Sequence, residues 1–242
     1  MVQGHALTRL GLALLLPLAV SCSANDDVSS PSGNGGESAG GESAGGAASA
    51  PLPSGAPYAS HVESFSPGDG AGYNEDQLPD IVLGPPRGGG NLKGSLHVLA
   101  LGSGGEIVLG FGEHGIVDGP GADLVVFENA FWPEGDASQV FAELGEVAVS
   151  EDGKTWHAFE CDVSGDGHGS FPGCAGVTPT LEYDPEALIP LDPEQTGGDA
   201  FDLAEVGVGR ARFVRIRDLR TLAPAGKASG FDLDAVGVIR AD

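Results

Sequence analysis

"LGEVAVSEDGKTWHAFE", residues 144–160, is the stretch on which the fold reading turns. It divides into two apolar-rich runs, LGEVAVSED (144–152) and KTWHAFE (154–160), around Asp152-Gly153. An Asp-Gly pair between alternating runs is a strong hairpin signal, because both residues tolerate the positive φ that tight turns require. Alternate residues of a strand share a face. Val147 and Val149 therefore lie together before the turn, and Trp156 and Ala158 after it.

The same pattern continues outward. SLHVLALG (95–102), EIVLGF (106–111), ADLVVFEN (122–129), ARFVRIRDL (211–219) and FDLDAVGVIR (231–240) are short, rich in Val, Ile and Phe, and separated by Gly, Pro, Asp and Asn. These are strand signals. No long stretch repeats at the helical period, although Ala200–Val206 offers one helical turn. Many short strands with few helices predict an all-β protein, a β-sandwich of the jelly-roll kind.

The N-terminal quarter reads differently. Leu10–Val20 is an apolar run of eleven residues. A spanning helix needs about 20, so residues 1–21 are expected to be a secretory signal, with Arg9 on its positive side. Ala19-Val20-Ser21-Cys22 resembles a bacterial lipobox, which implies lipidation of Cys22. Residues 23–56, SANDDVSSPSGNGGESAGGESAGGAASAPLPSGA, lack basic and aromatic residues and carry GESAG twice in tandem. Such a segment buries too little apolar surface to offset its ordering entropy. It is expected to be a flexible tether with a reach of about 30–35 Å. Residues 57–242 then form the β-sandwich domain. The expected location is the bacterial envelope, lipid-anchored at the outer membrane or cell surface, with the membrane met through the anchor only.

The formal net charge is −24. Nucleic acid is excluded as a partner, because phosphate binding needs clustered cations. Once Cys22 is set aside for lipid, Cys161 and Cys174 remain, and an oxidising compartment favours a disulfide between them. The alternative, thiolate metal ligation, calls for more Cys or His at short spacing, and only His168 is near.

VAVSEDGKTWHAF, ARFVRIRDL and GFDLDAVGV, in this order, resemble the middle and C-terminal strands of discoidin-like, galactose-binding-like jelly rolls. The wider run from LPDIVLGPPRGGG to GFDLDAVGV looks like a group of bacterial exported cell-surface proteins. Several carbohydrate-binding members of that fold hold a structural Ca²⁺ through an Asp of the last strand, and the resemblance places Asp234 there. Asp232 alternates with it on the same side of the strand, away from Phe231 and Leu233, and Glu128 is an expected further oxygen. Discoidin-type domains join their two ends by a disulfide, and this chain has no Cys pair in those positions.

A second calcium candidate is the loop CDVSGDGHGSFPGC, where Asp162, Ser164 and Asp166 alternate before Gly167. Alternate carboxylates in a tight loop can point at one cation. Position twelve, where a bidentate Glu is expected, is Gly173, and the competing reading is a disulfide-closed loop with solvated Asp residues. For a ligand, Phe131 and Trp132 lie in a loop after a strand, as sugar-stacking aromatics do, with Asn129 beside them to bond hydroxyls. The competing reading is that they cap the core. Arg215 and Arg217 share a face and can grip a carboxylate or sulfate, or pair with the many acids of the chain. There is no nucleophile elbow, HExxH or C-x-x-C. The expectation is a non-catalytic surface module that binds glycan or another envelope ligand, with structural calcium. A purely structural envelope lipoprotein and a glycan hydrolase are the alternatives.

Overall fold

The computed structural model describes residues 57–165, 171–181, 191–222, 226 and 228–242. Cys22, the signal and tether segments, and Asp166 lie outside them. Eleven strands are arranged in sheets that are antiparallel throughout. β1 (His61–Ser66), β3 (Glu106–Gly110), β10 (Phe213–Asp218), β6 (Gly145–Ser150) and β7 (His157–Ala158) make a five-stranded sheet in the order β1-β3-β10-β6-β7. β2 (Leu99–Ala100), β11 (Asp232–Val238), β5 (Leu124–Glu128) and β8 (Asp199–Phe201) make a four-stranded sheet in the order β2-β11-β5-β8. β4 (Ile116–Val117) pairs with β9 (Arg210–Ala211). The protein is an all-β sandwich.

Alternation drives the packing. In β10 the buried Val214 and Ile216 interleave with Arg215 and Arg217. Ile107, Leu109, Val147 and Val149 join them from one sheet, and Leu99, Leu124, Val126, Leu233 and Val236 face them from the other, in a single apolar cluster. Each such side chain contributes about 1.5–3 kcal/mol when fully buried. β5 is buried on both faces, because Val125 and Phe127 pack outward against Tyr58, Leu191 and Ala235. That explains its unbroken apolar run LVVF. The expected hairpin is present: β6 pairs with β7 through Val149–His157, and Gly153 in the turn has φ 70°.

β11 departs from simple alternation. Leu233 lies opposite Glu128 and Ala235 opposite Phe127, so Asp234 is an extra residue, a β-bulge. A bulge resets the faces. Leu233 and Val236 therefore both reach the core although they are three residues apart. The Ala200–Val206 region splits into β8 and a 3₁₀ turn, Leu203–Val206, in which the Asp202 side chain accepts from Ala204 N. Cys161 and Cys174 are joined in a disulfide across the 13-residue separation.

Candidate functional site

The C-terminal end of β5, the N-terminal ends of β6 and β11 and the C-terminal end of β10 meet at one end of the sandwich. Asp218 ties them together: its carboxylate accepts from Gly104 N at 2.7 Å, Arg220 N at 2.8 Å and Phe231 N at 2.9 Å. Below this clasp lies a buried acidic group. Glu128 is 2% exposed and Asp232 7%. Glu143, just before β6, is buried beside them. Burial first, then the neighbouring carboxylates, drives Glu128 well above the ordinary range and Glu143 to about 8. Asp232 is raised to about 6, by burial.

Asp232 and Asp234, expected together on the side of β11 away from Phe231 and Leu233, are both buried. Asp234 stands at the bulge, where Arg87 and His97 reach it. Arg87 N donates to Asp234 Oδ2 at 2.7 Å, and His97 Nδ1 stands 3.5 Å from Asp234 Oδ1. Asp234 is thus already partnered within the protein. Asn129 is also turned inward: its Nδ2 donates to Asp232 Oδ2 at 2.8 Å. It is therefore committed to Asp232 rather than presented to a ligand. Thr180 Oγ1 donates to the Glu128 carbonyl at 2.6 Å and fixes the chain at this point.

The other predicted residues sit apart from this group. Asp162 Oδ1 accepts from Ser164 N at 2.8 Å and Ser164 Oγ at 2.6 Å, a local turn that holds its carboxyl below the ordinary range. Arg217 Nη2 donates to Glu146 Oε1 at 2.9 Å. Arg215 lies 3.7 Å from Glu106 and stacks 4.8 Å from the centre of the Trp156 ring. Both arginines are paired across their own sheet.

Phe131 is half-buried and stacks on Phe141 with ring centroids 5.1 Å apart. Phe141, which sequence reasoning missed, is 42% exposed and forms one wall of a cleft of about 430 Å³. Val163, Phe171, Leu144, Thr221 and Leu222 line it together with the neighbours of Phe141, Val140 and Ala142. Trp132 is half-exposed, with its N–H bonded to Asn91 O at 2.8 Å. Between Trp132 and Phe141 the chain is polar, and Asp136 Oδ1 accepts from Ser138 Oγ at 2.7 Å. The signal for Phe141 is only an isolated aromatic in a polar loop, and its pairing with Phe131 is a long-range contact.

No protein-family model and no curated protein matches the chain.

At the opposite end of the sandwich Asp118, Asp123 and Asp202 could bring three oxygens within 4.8 Å of one another. Asp123 is already committed, however: it accepts from Gly119 N at 3.0 Å and Leu203 N at 2.9 Å, with Arg240 at 3.5 Å. Asp123 is thereby committed to the backbone of its own end of the sandwich.

Proposed function

We propose that the domain is a non-catalytic binding module of the bacterial envelope, held by lipid on Cys22, and that it binds an uncharged glycan at the Phe131–Phe141 step. The exposed aromatic wall of the cleft, flanked by the polar loop 133–140, carries this reading. Flat apolar surface beside a few orienting polar groups is the usual chemistry of small-molecule and sugar recognition. The charge of −24 opposes polyanionic glycans. The resemblance to galactose-binding-like jelly rolls supports the same class. Glu128, Glu143 and Asp232 are all buried, which keeps them from a substrate and argues against a hydrolase.

A glycan array probed with the wild-type protein and with Phe141→Ala tests the reading. Binding to neutral glycans that disappears in Phe141→Ala is the expected result. A blank array for the wild type contradicts it. A second reading draws on the apolar side chains beside Phe141: Val163 is 52% exposed and Leu222 43%. They suit a protein component of the envelope, and co-purification of such a component by wild type but not by Leu222→Asp, with a blank array, is the outcome that favours it.

A further inference from the structure

The cleft beside Phe141 has three walls, and they are not held alike. Val140, Phe141 and Leu144 stand on one, and Thr221 and Leu222 on the second. The sandwich ties these two together: Leu219 N donates to Leu144 O at 2.9 Å, and Leu144 N donates to Thr221 Oγ1 at 3.4 Å. The third wall is Val163 and Phe171, which both come from the segment between Cys161 and Cys174.

Each half of the third wall is shaped locally. Asp162 Oδ1 accepts from Ser164 N and Ser164 Oγ, which holds the turn that carries Val163. Cys174 N donates to Phe171 O at 3.1 Å, which closes the turn that starts at Phe171. Neither turn places Val163 relative to Phe171. Among the described residues two links do so: one backbone hydrogen bond, from Asp162 N to Pro172 O at 3.0 Å, and the Cys161–Cys174 disulfide. The two arms differ in their hold on the sandwich. Ala175, next to Cys174, exchanges both backbone hydrogen bonds with Gly145 at 3.0 Å, and Gly145 follows the cleft residue Leu144. On the other arm the last bond to β6 among the described residues is Phe159 N to Val147 O at 2.9 Å, two residues before Cys161. The disulfide therefore fastens the arm of Val163 to the strand from which the opposite wall rises. Without it one backbone bond is left, and a single such bond is a weak net hold.

We propose that the Cys161–Cys174 disulfide makes binding at the cleft depend on redox state: oxidised, it seats Val163 and Phe171 against the other two walls, and reduced, it releases them. The inference rests on the reading of the cleft as a glycan site and adds its control. A wall already in place spares a ligand the ordering cost that a loose one imposes. Cys174 is buried and Cys161 half-buried, so the Cys161 side is the one open to solvent. The reductant is a dithiol. One of its thiolates attacks the Cys161 sulfur, the Cys161–Cys174 bond breaks, and Cys174 leaves as a thiolate that takes up a proton. The second thiolate of the reductant then displaces Cys161 from the mixed disulfide. The dithiol departs as a disulfide, and both cysteines end as thiols. Exchange with an oxidised disulfide runs the same steps in reverse.

The test compares the full-length chain in four forms: oxidised, reduced with dithiothreitol, reoxidised, and with Cys161→Ser and Cys174→Ser together. The first readout needs no ligand. In methyl NMR the signals of Val140, Leu144 and Leu222 should shift on reduction, as the Phe171 ring moves off the cleft, while those of Val147, Val214 and Leu233 in the core stay in place. The second readout is the neutral-glycan array. The oxidised and reoxidised forms should bind at least about tenfold more tightly than the reduced and double-serine forms. Ile116→Ala, which opens the core near Asp118 at the opposite end of the sandwich, should lower the melting temperature and leave the cleft signals and the array unchanged. Cleft signals unmoved by reduction, core signals that move with them, or equal binding by oxidised and reduced protein overturns the proposal. So does a loss of binding in Ile116→Ala, because any drop in stability would then have the same effect. A blank array for the oxidised protein removes the glycan reading alone, and the methyl signals then decide whether the disulfide sets the cleft.

Discussion

Asn129 Nδ2 donates to Asp232 Oδ2 at 2.8 Å and joins the residue just after β5 to the first residue of β11. The contact fixes which atom of the amide faces the buried carboxylate. Asn129→Asp replaces that donor by a second carboxylate. At neutral pH the variant should lose about 2–4 kcal/mol of stability, from like charges at close range in a poorly hydrated site. Chemical denaturation measures this directly.

Gly94 is expected to tolerate no side chain. Its added Cβ would meet the Asn129 oxygen, and Asn129 cannot swing away without breaking its bond to Asp232. Gly94→Ala should cost about 1–3 kcal/mol by overpacking. Gly90→Ala is the contrast within the same loop: it has open space around it, and only its φ of +80° opposes the substitution. Melting curves of the two variants separate steric from backbone strain.

Asp218 holds three backbone N–H groups from three different segments. Asp218→Ala strands those donors at the end of the sandwich. A loss of about 2–4 kcal/mol is expected. Hydrogen exchange should quicken at Gly104, Arg220 and Phe231 before it does in the core of β10.

Asp152 supplies the pH dependence. Its Oδ1 accepts from Thr155 N at 2.7 Å and Lys154 N at 2.8 Å, and these bonds lower its pKa to about 2, below the ordinary carboxylate range. A depressed folded-state pKa contributes stability that is fully present above the unfolded value and is lost as pH falls through the folded one. The hairpin turn should therefore weaken between about pH 4 and pH 2. In Asp152→Asn that share of the acid sensitivity should vanish, as read from melting temperatures across this range.

Reducing the Cys161–Cys174 disulfide frees the loop it closes. For a loop of this length the chain-entropy model gives a loss of about 3 kcal/mol. Cys161→Ser with Cys174→Ser should match the reduced protein. Equal stability with and without reductant contradicts a structural role for the bond.

Local pattern carried much of the architecture. The Asp152-Gly153 hairpin and the Val214/Ile216 alternation against Arg215/Arg217 are set by neighbours in sequence, and both read correctly. The two-residue strands β4 and β9 and the three-residue β8 have too few residues to show a period, and β1 is polar at four of its six positions. The bulge at Asp234 and the burial of Asp232 and Asp234 are invisible to a period-two reading. Glu128 and Asp232 were legible as acids near strand ends, but only the pairing of β5 with β11 makes them neighbours. Glu143, Phe141 and the inward turn of Asn129 arise from long-range contacts that no local spacing encodes.

The most direct test of the glycan-binding account is hydrogen–deuterium exchange of the full-length chain with and without a neutral glycan selected from the array. Exchange should slow across residues 131–144 and 219–222, and the glycan should be recovered intact. Unchanged exchange in those segments, or a glycan recovered shortened, contradicts the account.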